Sequence, residues 1–428
     1  MLIFLRNRSI RKGNISKIWR NTKFQILLIC LIAILLRILY AIMPGAIYRI
    51  TPPFDPTEGD YYYYDKIAKA ILAGEGYHES HLYAYRPPLY PAFLSLTYYI
   101  SNTNYRFVQG VQIVLSVILV LTTYLIGYYL INRRVGLISA IMVTIYPQFI
   151  RYPSELLSET LYLTLFSIAV FLLIIAKLKN KSLYFTISGM ITATAALTRV
   201  TAYYFPLFVF VWLYLCKSKL RYSFLPFFLG FIIVLSPWTY RNYKIFHAFV
   251  PVSTQVGVNF YSGHNPNTKP GFSWTLPPNV KPFWNKPAPL GYPKGYYELL
   301  IMKESIKQGF TYILNHPKEV IKLWIVRFWL TWKPPWHNIS LKNLKEALFR
   351  VGWLVSYVFI LVTFFGGIYV SHNNWRFFSI FYLYILFIIF TNIITHFESR
   401  YRLPAIPFMI FFSAMFLEKI VLSWGKKK

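Results

Sequence analysis

The run FQILLICLIAILLRILYAIM, residues 24–43, is the stretch of sequence that decides the fold. It is long enough for an α-helix to cross the hydrocarbon core of a bilayer. The residues before it are basic, and the positive-inside rule therefore predicts a cytoplasmic N-terminus. The run exceeds the apolar core of a typical signal peptide, and no clear small-residue cleavage site follows it, so we predict a retained signal anchor.

Further apolar runs follow along the chain, which is 56% hydrophobic and only 14% charged. Soluble globular proteins carry about 25% charged residues. The runs do not alternate in polarity as barrel strands do, so we predict an all-α polytopic membrane protein in the plasma membrane. Its ten predicted spans, which leave both termini in the cytoplasm, are residues 24–43, 107–131, 135–150, 156–176, 184–197, 203–216, 224–240, 347–370, 377–396 and 403–424.

The formal net charge of +31 raises the question of nucleic acid as a partner. We exclude nucleic acid, because the basic residues lie mostly between apolar runs, where anionic lipid headgroups are the nearer partner. Cys30 and Cys216 lie inside apolar runs. They indicate neither a disulfide framework nor a thiolate metal site.

The spans divide the chain into four parts. Helical spacing in residues 60–74 and 294–315 predicts amphipathic helices, and 319–332 is predicted to lie at the membrane interface. The predicted parts are a basic cytoplasmic N-terminus (1–23), a transmembrane core (24–240) that includes a first outer loop (44–106), an outer segment (241–345) and C-terminal transmembrane helices (346–428).

The first outer loop contains all three aspartates of the protein, Asp55, Asp60 and Asp65, although acidic residues are scarce. A carboxylate on this loop could act as a general base toward an acceptor hydroxyl. Asp60 could instead be the N-cap of the helix that follows it, since aspartate is a favoured cap. Asp55 is predicted to lie in a turn, and Asp65 to form a surface pair with Lys69.

Several arginines are predicted on the outer side, where the positive-inside rule disfavours them. Arg86 precedes two prolines, which hold the backbone extended and could present its guanidinium to a phosphate. Arg199, Arg241, Arg400 and Arg402 could join it in a cradle for an anionic lipid headgroup. Each could alternatively be a single interfacial anchor.

Acidic residues near these arginines are candidate partners. Glu398 is placed to pair with Arg400 or Arg402. Glu155 and Glu159 are one helical turn apart and are predicted to share a face. They are either partners of buried arginines or, for Glu159, a second carboxylate of the site.

Taken together, these segments resemble the GT-C glycosyltransferases, in particular the bacterial and archaeal relatives of dolichyl-phosphate-mannose protein mannosyltransferases. The resemblance covers most of the chain, in the order that the family has. It is carried by residues 59–61 with 68–76, RPPLYP at 86–91, SETL at 158–161, LTR at 197–199, SPW at 236–238 with RNY at 241–243, PVST at 251–254 with Gly257, Asn259 and Gly263, and residues 398–407.

The resemblance implies an inverting transfer of a sugar from a polyprenyl-monophosphate donor to a protein, lipid or polysaccharide acceptor on the outer face. It implies that Asp60 is the catalytic base, and that Arg86, Arg199, Arg241, Arg400 and Arg402 bind the donor phosphate. Tyr61, Glu159, Asn242 and Glu398 would support them. Many relatives have Asp followed by Glu at the catalytic motif, whereas Tyr61 follows Asp60 here, so a divalent metal is left open and no other cofactor is expected.

Two other functions are compatible with a polytopic chain of this kind. A transporter or flippase of a lipid-linked sugar would place its polar groups near the bilayer midplane, in broken helices. A non-catalytic membrane assembly protein would leave the Asp60 and Arg86 loop without a purpose. The notable polar residues are predicted at the outer edge instead, which favours an enzyme.

Overall fold

The computed structural model describes residues 15–43, 59–216, 222–271, 273–334, 344–395 and 397–425. Asp55, His396, most of the basic N-terminus and the Lys426–Lys428 tail lie outside the described residues, and so do the predictions made for them. All regular elements of the described residues are helical; an isolated bridge joins Glu79 to Leu82. The all-α prediction is therefore confirmed.

Sixteen α-helices are described, in chain order. They are α1 (Ile15–Ile42), α2 (Asp60–Leu72), α3 (Leu89–Ser101), α4 (Tyr105–Leu130), α5 (Arg133–Ile145), α6 (Pro147–Arg151), α7 (Glu159–Lys179), α8 (Ser182–Thr198), α9 (Phe205–Leu215), α10 (Phe224–Phe246), α11 (Gln255–Gly263), α12 (Tyr296–Asn315), α13 (Pro317–Trp332), α14 (Leu344–Ser371), α15 (Trp375–Ile394) and α16 (Ile406–Gly425). Short 3-10 helices cover Tyr152–Ser154, Val200–Tyr204, Lys281–Phe283, His372–Asn374 and Ser399–Ala405.

The number of membrane spans is smaller than the ten predicted. Among the described residues, six apolar helical stretches are long enough to cross a membrane, or up to seven if a bent pair counts as one span. The count of ten is therefore not confirmed, although every predicted span overlaps a helix. The six stretches are Thr22–Ile42, Tyr105–Leu130, Glu159–Lys179, Phe224–Phe246, Ala347–Ile394, which contains both α14 and α15, and Ser399–Ser423.

Local sequence explains why several predicted spans fall short. The predicted span 135–150 is broken by 64° between α5 and α6. Tyr146 is extended there because the residue before Pro147 is disfavoured in a helix. Helices α8 and α9 are apolar but only 17 and 11 residues long. Both are shorter than the about 20 residues that a bilayer crossing typically takes.

The apolar core lies between the long helices. Helix α8 packs against α7 and α10, α4 packs against α5 and α7, and α14 packs against α16. Close approach of α8 and α10 depends on two glycines. A Cβ on Gly189 would lie 1.9 Å from the Phe227 carbonyl oxygen, and one on Gly230 would lie 2.2 Å from that of Thr186.

The first loop and the segment after α10 pack together beside the bundle. Helix α2 packs against α3, and α11 packs against α12. The backbone N–H of Thr254 donates to the Ala84 carbonyl at 2.9 Å, which ties residues 73–88 to the segment before α11. This packing places the loop that carries Arg86 over the end of the bundle where α7 begins and α8 ends.

Candidate active site

Asp60 lies between two guanidinium groups. It is the first residue of α2, and its side chain is 22% exposed. Arg86 binds its Oδ1, and Arg400 Nη1 lies 2.9 Å from its Oδ2. Gly59 occupies the N-cap position, with a φ of +78° that suits glycine, so the alternative prediction that Asp60 is the N-cap is wrong.

A second carboxylate continues this arrangement. Glu159 begins α7 and is buried, with Oε1 2.7 Å from Arg199 Nη1 and 3.5 Å from Arg400 Nη1. Arg400 also pairs through Nε with Glu398 Oε2 at 2.8 Å. Arg199 stands directly after α8 in an extended conformation, which turns the chain back into the next helix.

These six residues form what we call the Asp60 cluster. It contains three carboxylates and three guanidinium groups, so its formal charge is zero. Arg199 and Arg400 are each 20% exposed, whereas Glu159 is 4% exposed. An anion in solution could therefore reach Arg199 and Arg400, whereas Glu159, which pairs with both, is shielded from it. The cluster consists of Asp60, Arg86, Glu159, Arg199, Glu398 and Arg400.

The arginines set the protonation state of Asp60. Burial by itself would raise the pKa of this carboxyl, but the charges of Arg86, Arg400 and Arg199 lower it well below its ordinary value. Asp60 in turn raises the pKa of Arg86 against the opposing effect of burial. The carboxylate is thus ionised throughout the physiological range. Glu398 is different, since burial raises its pKa although Arg400 opposes this.

Tyrosines line the cluster. The Arg86 guanidinium lies 4.8 Å from the ring centroid of Tyr63 and 5.3 Å from that of Tyr64. The Tyr64 hydroxyl donates to Ser158 Oγ at 3.4 Å, next to Glu159. The tyrosine run therefore packs against the site, and its rings stabilise a cation through their faces.

Glu155 binds Tyr61, the residue that follows Asp60. Its Oε2 accepts from the Tyr61 hydroxyl at 3.0 Å, and its Oε1 from Arg151 Nε at 2.7 Å. The prediction that Glu155 and Glu159 share a helical face is wrong. Glu155 is extended and precedes α7, so the two acids hold different arginines.

Arg241, Asn242 and Arg402 lie apart from the cluster. Arg241 donates to the carbonyl oxygens of Tyr83 and Tyr77, both at 2.6 Å, and the Asn242 amide donates to that of Val250. Arg241 thereby anchors the loop 77–83. Among the described residues, it forms no ion pair with an acid of the Asp60 cluster.

Arg402 also binds backbone. Its Nη1 donates to the Lys333 carbonyl at 2.6 Å, and its guanidinium lies 4.0 Å from the Tyr357 ring centroid. In the described part of the chain it has no carboxylate partner. The structure thus joins Arg86, Arg199 and Arg400 of the five predicted phosphate ligands, and separates the other two.

Glu298 is a site residue that the sequence analysis missed. It is buried on α12 and accepts from the backbone N–H groups of Tyr83 and Ala84 and from the Thr254 hydroxyl. It therefore fixes the loop that leads to Arg86. Burial raises its pKa to about 7. Its position on a predicted amphipathic helix, in a chain with few acidic residues, could have indicated this role from the sequence.

Metal ligation was left open by the sequence. No group of three or more His, Cys, Asp or Glu side chains is arranged to hold a metal ion within the described ranges. The three acids of the Asp60 cluster pair with arginines instead. No residue is assigned to a metal.

A family model matches part of the chain. The family model "Dolichyl-phosphate-mannose-protein mannosyltransferase" matches residues 85–240, which include Arg86, Glu159 and Arg199. No curated protein matches the chain.

Several solved structures are similar to the chain. The archaeal oligosaccharyltransferase AglB from Archaeoglobus fulgidus, in complex with an inhibitory peptide and a dolichol-phosphate, has a TM-score of 0.58 at 15% identity, over 95% of this chain and 50% of that one. The same organism's oligosaccharyltransferase tethered to an acceptor peptide has a TM-score of 0.54 at 13% identity, over 96% and 50%. ArnT from Cupriavidus metallidurans, in the apo state, has a TM-score of 0.43 at 12% identity, over 92% and 76%.

The chain spans about half the length of the oligosaccharyltransferases that it matches. At 13–15% identity, the similarity to them is a similarity of fold. The chain therefore shares the fold of these oligosaccharyltransferases, and its residues 85–240 resemble the protein mannosyltransferases, as the sequence motifs predicted.

Proposed function

We propose that this protein is a membrane glycosyltransferase that moves a sugar from a polyprenyl-monophosphate donor to an acceptor on the outer face, with inversion. The observation that carries the proposal is the placement of an ionised, partly exposed Asp60 between Arg86 and Arg400. A general base and cations for a leaving phosphate are thus held side by side.

The arginines are suited to a leaving phosphate. A sugar bound to a polyprenyl monophosphate is a phosphodiester with one negative charge, and a second charge develops as the bond to the sugar breaks. Arg199 and Arg400 are partly exposed and already oriented by Glu159. Donors fixed before the reaction stabilise developing charge without reorganisation cost, which favours the transition state over the ground state.

Asp60 would act on the acceptor. An acceptor hydroxyl attacks the anomeric carbon, its proton passes to the Asp60 carboxylate, and the bond from that carbon to the phosphate oxygen breaks. The products are the glycosylated acceptor and the polyprenyl phosphate. A single displacement of this kind inverts the anomeric configuration.

Charge distribution supports an outward-facing site. The end of the bundle opposite the Asp60 cluster carries Arg133, Arg134, Lys177, Lys179 and Lys181, at the ends of α5 and α7 and before α8. Basic residues in short connections favour the cytoplasmic side. The Asp60 end would then face outward.

The matched proteins support the donor class. AglB of the same fold is described in complex with a dolichol-phosphate and a peptide, and the matching family model is named for a dolichyl-phosphate-mannose donor. By this likeness we propose a polyprenyl phosphate carrier for the present chain as well.

The test is sugar transfer by the purified full chain, using radiolabelled polyprenyl-phosphate sugars as donors and cell-envelope acceptors. Asp60→Asn should reduce turnover by about 10²–10⁴-fold, the range that general bases contribute, with donor binding retained. Glu319→Gln, an exposed acid on α13, is the matched control and should keep wild-type turnover. Equal transfer by Asp60→Asn and wild type would remove the base assignment, and lipid movement without transfer would indicate a flippase.

A further inference from the structure

Two tryptophans of the segment between α11 and α12 extend the aromatic surface beyond Arg86. The Trp284 ring lies edge-on to Tyr85, with centroids 4.9 Å apart, and Trp274 lies edge-on to Trp284 at 5.4 Å. We call Tyr85, Trp274 and Trp284 the Trp274 platform. Nothing in the transfer chemistry described above uses it.

The platform is fixed before any ligand binds. The Trp274 indole N–H donates to the Tyr85 hydroxyl at 3.0 Å. The Tyr85 backbone carbonyl accepts from Ser253, and its ring belongs to a small core with Leu82 and Ile301. A ring held this way loses little freedom on binding, so less of the binding energy is offset by ordering.

Trp274 is nevertheless 46% exposed. Its only polar atom is already satisfied by Tyr85, so the exposed part of the side chain is the carbon surface of the indole. A rigid, half-exposed tryptophan beside a candidate active site is suited to ligand binding, because Trp and Tyr are enriched among the residues that dominate binding energy.

The surroundings of the platform are polar, which argues against a membrane-belt role. Asn285 accepts from the His81 backbone N–H at 3.0 Å. Lys281 and Lys286 are exposed on either side of Trp284, and Asn279 bonds Gln308 on the surface of α12. Belt tryptophans direct their indole N–H toward headgroups and water, whereas that of Trp274 points into the protein.

The platform connects to Asp60 through Arg86. The Arg86 guanidinium lies 5.8 Å from the Tyr85 ring centroid and binds Asp60 Oδ1. The proposed phosphate ligand Arg400 binds the other oxygen, Oδ2, and Arg199 lies beyond it, on Glu159. The platform therefore borders the Arg86 side of Asp60, whereas the partly exposed arginines Arg400 and Arg199 lie on the other side of the carboxylate.

We propose that the Trp274 platform is the acceptor subsite, and that the acceptor it takes is a saccharide. Sugar rings present faces of C–H groups with partial positive charge, which the negative face of an aromatic ring attracts, while their hydroxyls bond polar groups at the rim. The amide of Asn285, the residue after Trp284, supplies such a rim. This inference rests on the proposed function and names its acceptor class.

A lipid or a peptide fits the platform less well. A lipid chain needs a continuous apolar groove, but the exposed Lys281 and Lys286 flank Trp284 along the chain. An extended peptide is commonly bound by pairing with an exposed strand edge, and the described residues between α11 and α12 form no strand. A saccharide needs only a ring face and hydrogen-bonding neighbours.

The test is binding of the purified full chain in detergent to an array of mannose-, glucose- and N-acetylglucosamine-containing oligosaccharides, with unglycosylated peptides on the same array. We expect oligosaccharide binding that Trp274→Ala weakens at least 10-fold and that Trp274→Phe largely retains. Trp329→Ala, which removes a tryptophan that is 67% exposed on α13, is the matched control and should bind as wild type. Absence of saccharide binding, or equal binding by Trp274→Ala, overturns the proposal.

Transfer to the saccharides that bind separates this inference from the proposed function. Trp274→Ala should raise KM for the acceptor at least 10-fold with kcat and donor KM nearly unchanged, whereas Asp60→Asn should lose turnover and still bind the array. An unchanged acceptor KM in Trp274→Ala refutes the platform and leaves the glycosyltransferase intact. Saccharide binding that depends on Trp274, without transfer from any donor, supports the platform and refutes the proposed function.

Discussion

Arg400 Nη1 lies 2.9 Å from Asp60 Oδ2, so the proposed base is paired with a proposed phosphate ligand. The same nitrogen lies 3.5 Å from Glu159. A bound phosphate would compete for this guanidinium and weaken its hold on Asp60. Donor binding would then raise the pKa of Asp60 and make it a stronger base only when the sugar is in place.

Removal of Arg400 should move the pH dependence of transfer. Arg86, Arg400 and Arg199 keep the pKa of Asp60 well below its ordinary value, and the proposed mechanism needs the ionised form. Without Arg400 this pKa rises, by about one unit or more for a lost charge at this distance. Arg400→Gln should therefore shift the acid limb of kcat/KM to higher pH.

The same variant should raise the donor KM by about 10–100-fold, the cost of a lost charge-assisted hydrogen bond. Arg376→Gln on α15, which removes an exposed arginine, is the control and should leave both quantities unchanged. An acid limb that stays in place would show that Arg400 does not tune Asp60.

Arg199 and Glu159 should behave as a coupled pair. Their atoms are 2.7 Å apart, and Glu159 is buried. Either Arg199→Gln or Glu159→Gln alone leaves the other charge without its nearest partner and should cost about 3 kcal/mol of unfolding free energy. The double variant should cost less than the sum, with a coupling of about 1–3 kcal/mol. Thermal unfolding in detergent gives the Tm of the wild type, the two single variants and the double variant. Additive shifts in Tm would contradict the pairing.

Glu298 should make stability depend on pH. Its pKa is about 7 in the folded protein and about 4.3 in an unfolded chain. Because the folded state holds the proton more tightly, the stabilisation is present at low pH and is lost as the pH rises toward 7.

Glu298→Gln stays neutral, so its Tm should rise relative to wild type between pH 5 and 8. Tm values measured at several pH values over this range test the change. For the control Glu319→Gln, the difference in Tm from wild type should stay constant with pH. A constant gap between Glu298→Gln and wild type would show that Glu298 is ionised at both ends of the range.

The contact between α8 and α10 should not tolerate a side chain at Gly189. An added Cβ would lie 1.9 Å from the Phe227 carbonyl oxygen, so the two helices must separate. Gly189→Ala should lower stability by about 1–3 kcal/mol, as overpacked cores do. Gly352→Ala on α14 meets nothing within 4 Å and should be neutral or stabilising by up to about 1 kcal/mol. Equal Tm values for the two variants would refute this packing.

Much of the fold could be predicted from the sequence because local patterns determine it. Long apolar runs become helices in a bilayer, where every backbone polar group must be bonded within its own segment. The helical spacing of apolar residues in 294–315 likewise predicted the helix found there. Span length was harder, since the break at Tyr146 depends on a single Pro147 inside an apolar run.

The sequence by itself determined that this is a helical membrane protein with its aspartates gathered in one loop and a set of arginines predicted on the same side. Only the tertiary structure decided which arginines meet Asp60. Arg86 and Arg400 reach it from opposite ends of the chain, while Arg241 and Arg402, with similar sequence contexts, bind backbone carbonyls instead. The physical reason is that the packing of the helices determines which side chains meet. The sequence around one arginine does not indicate which distant residue will lie next to it in the folded protein.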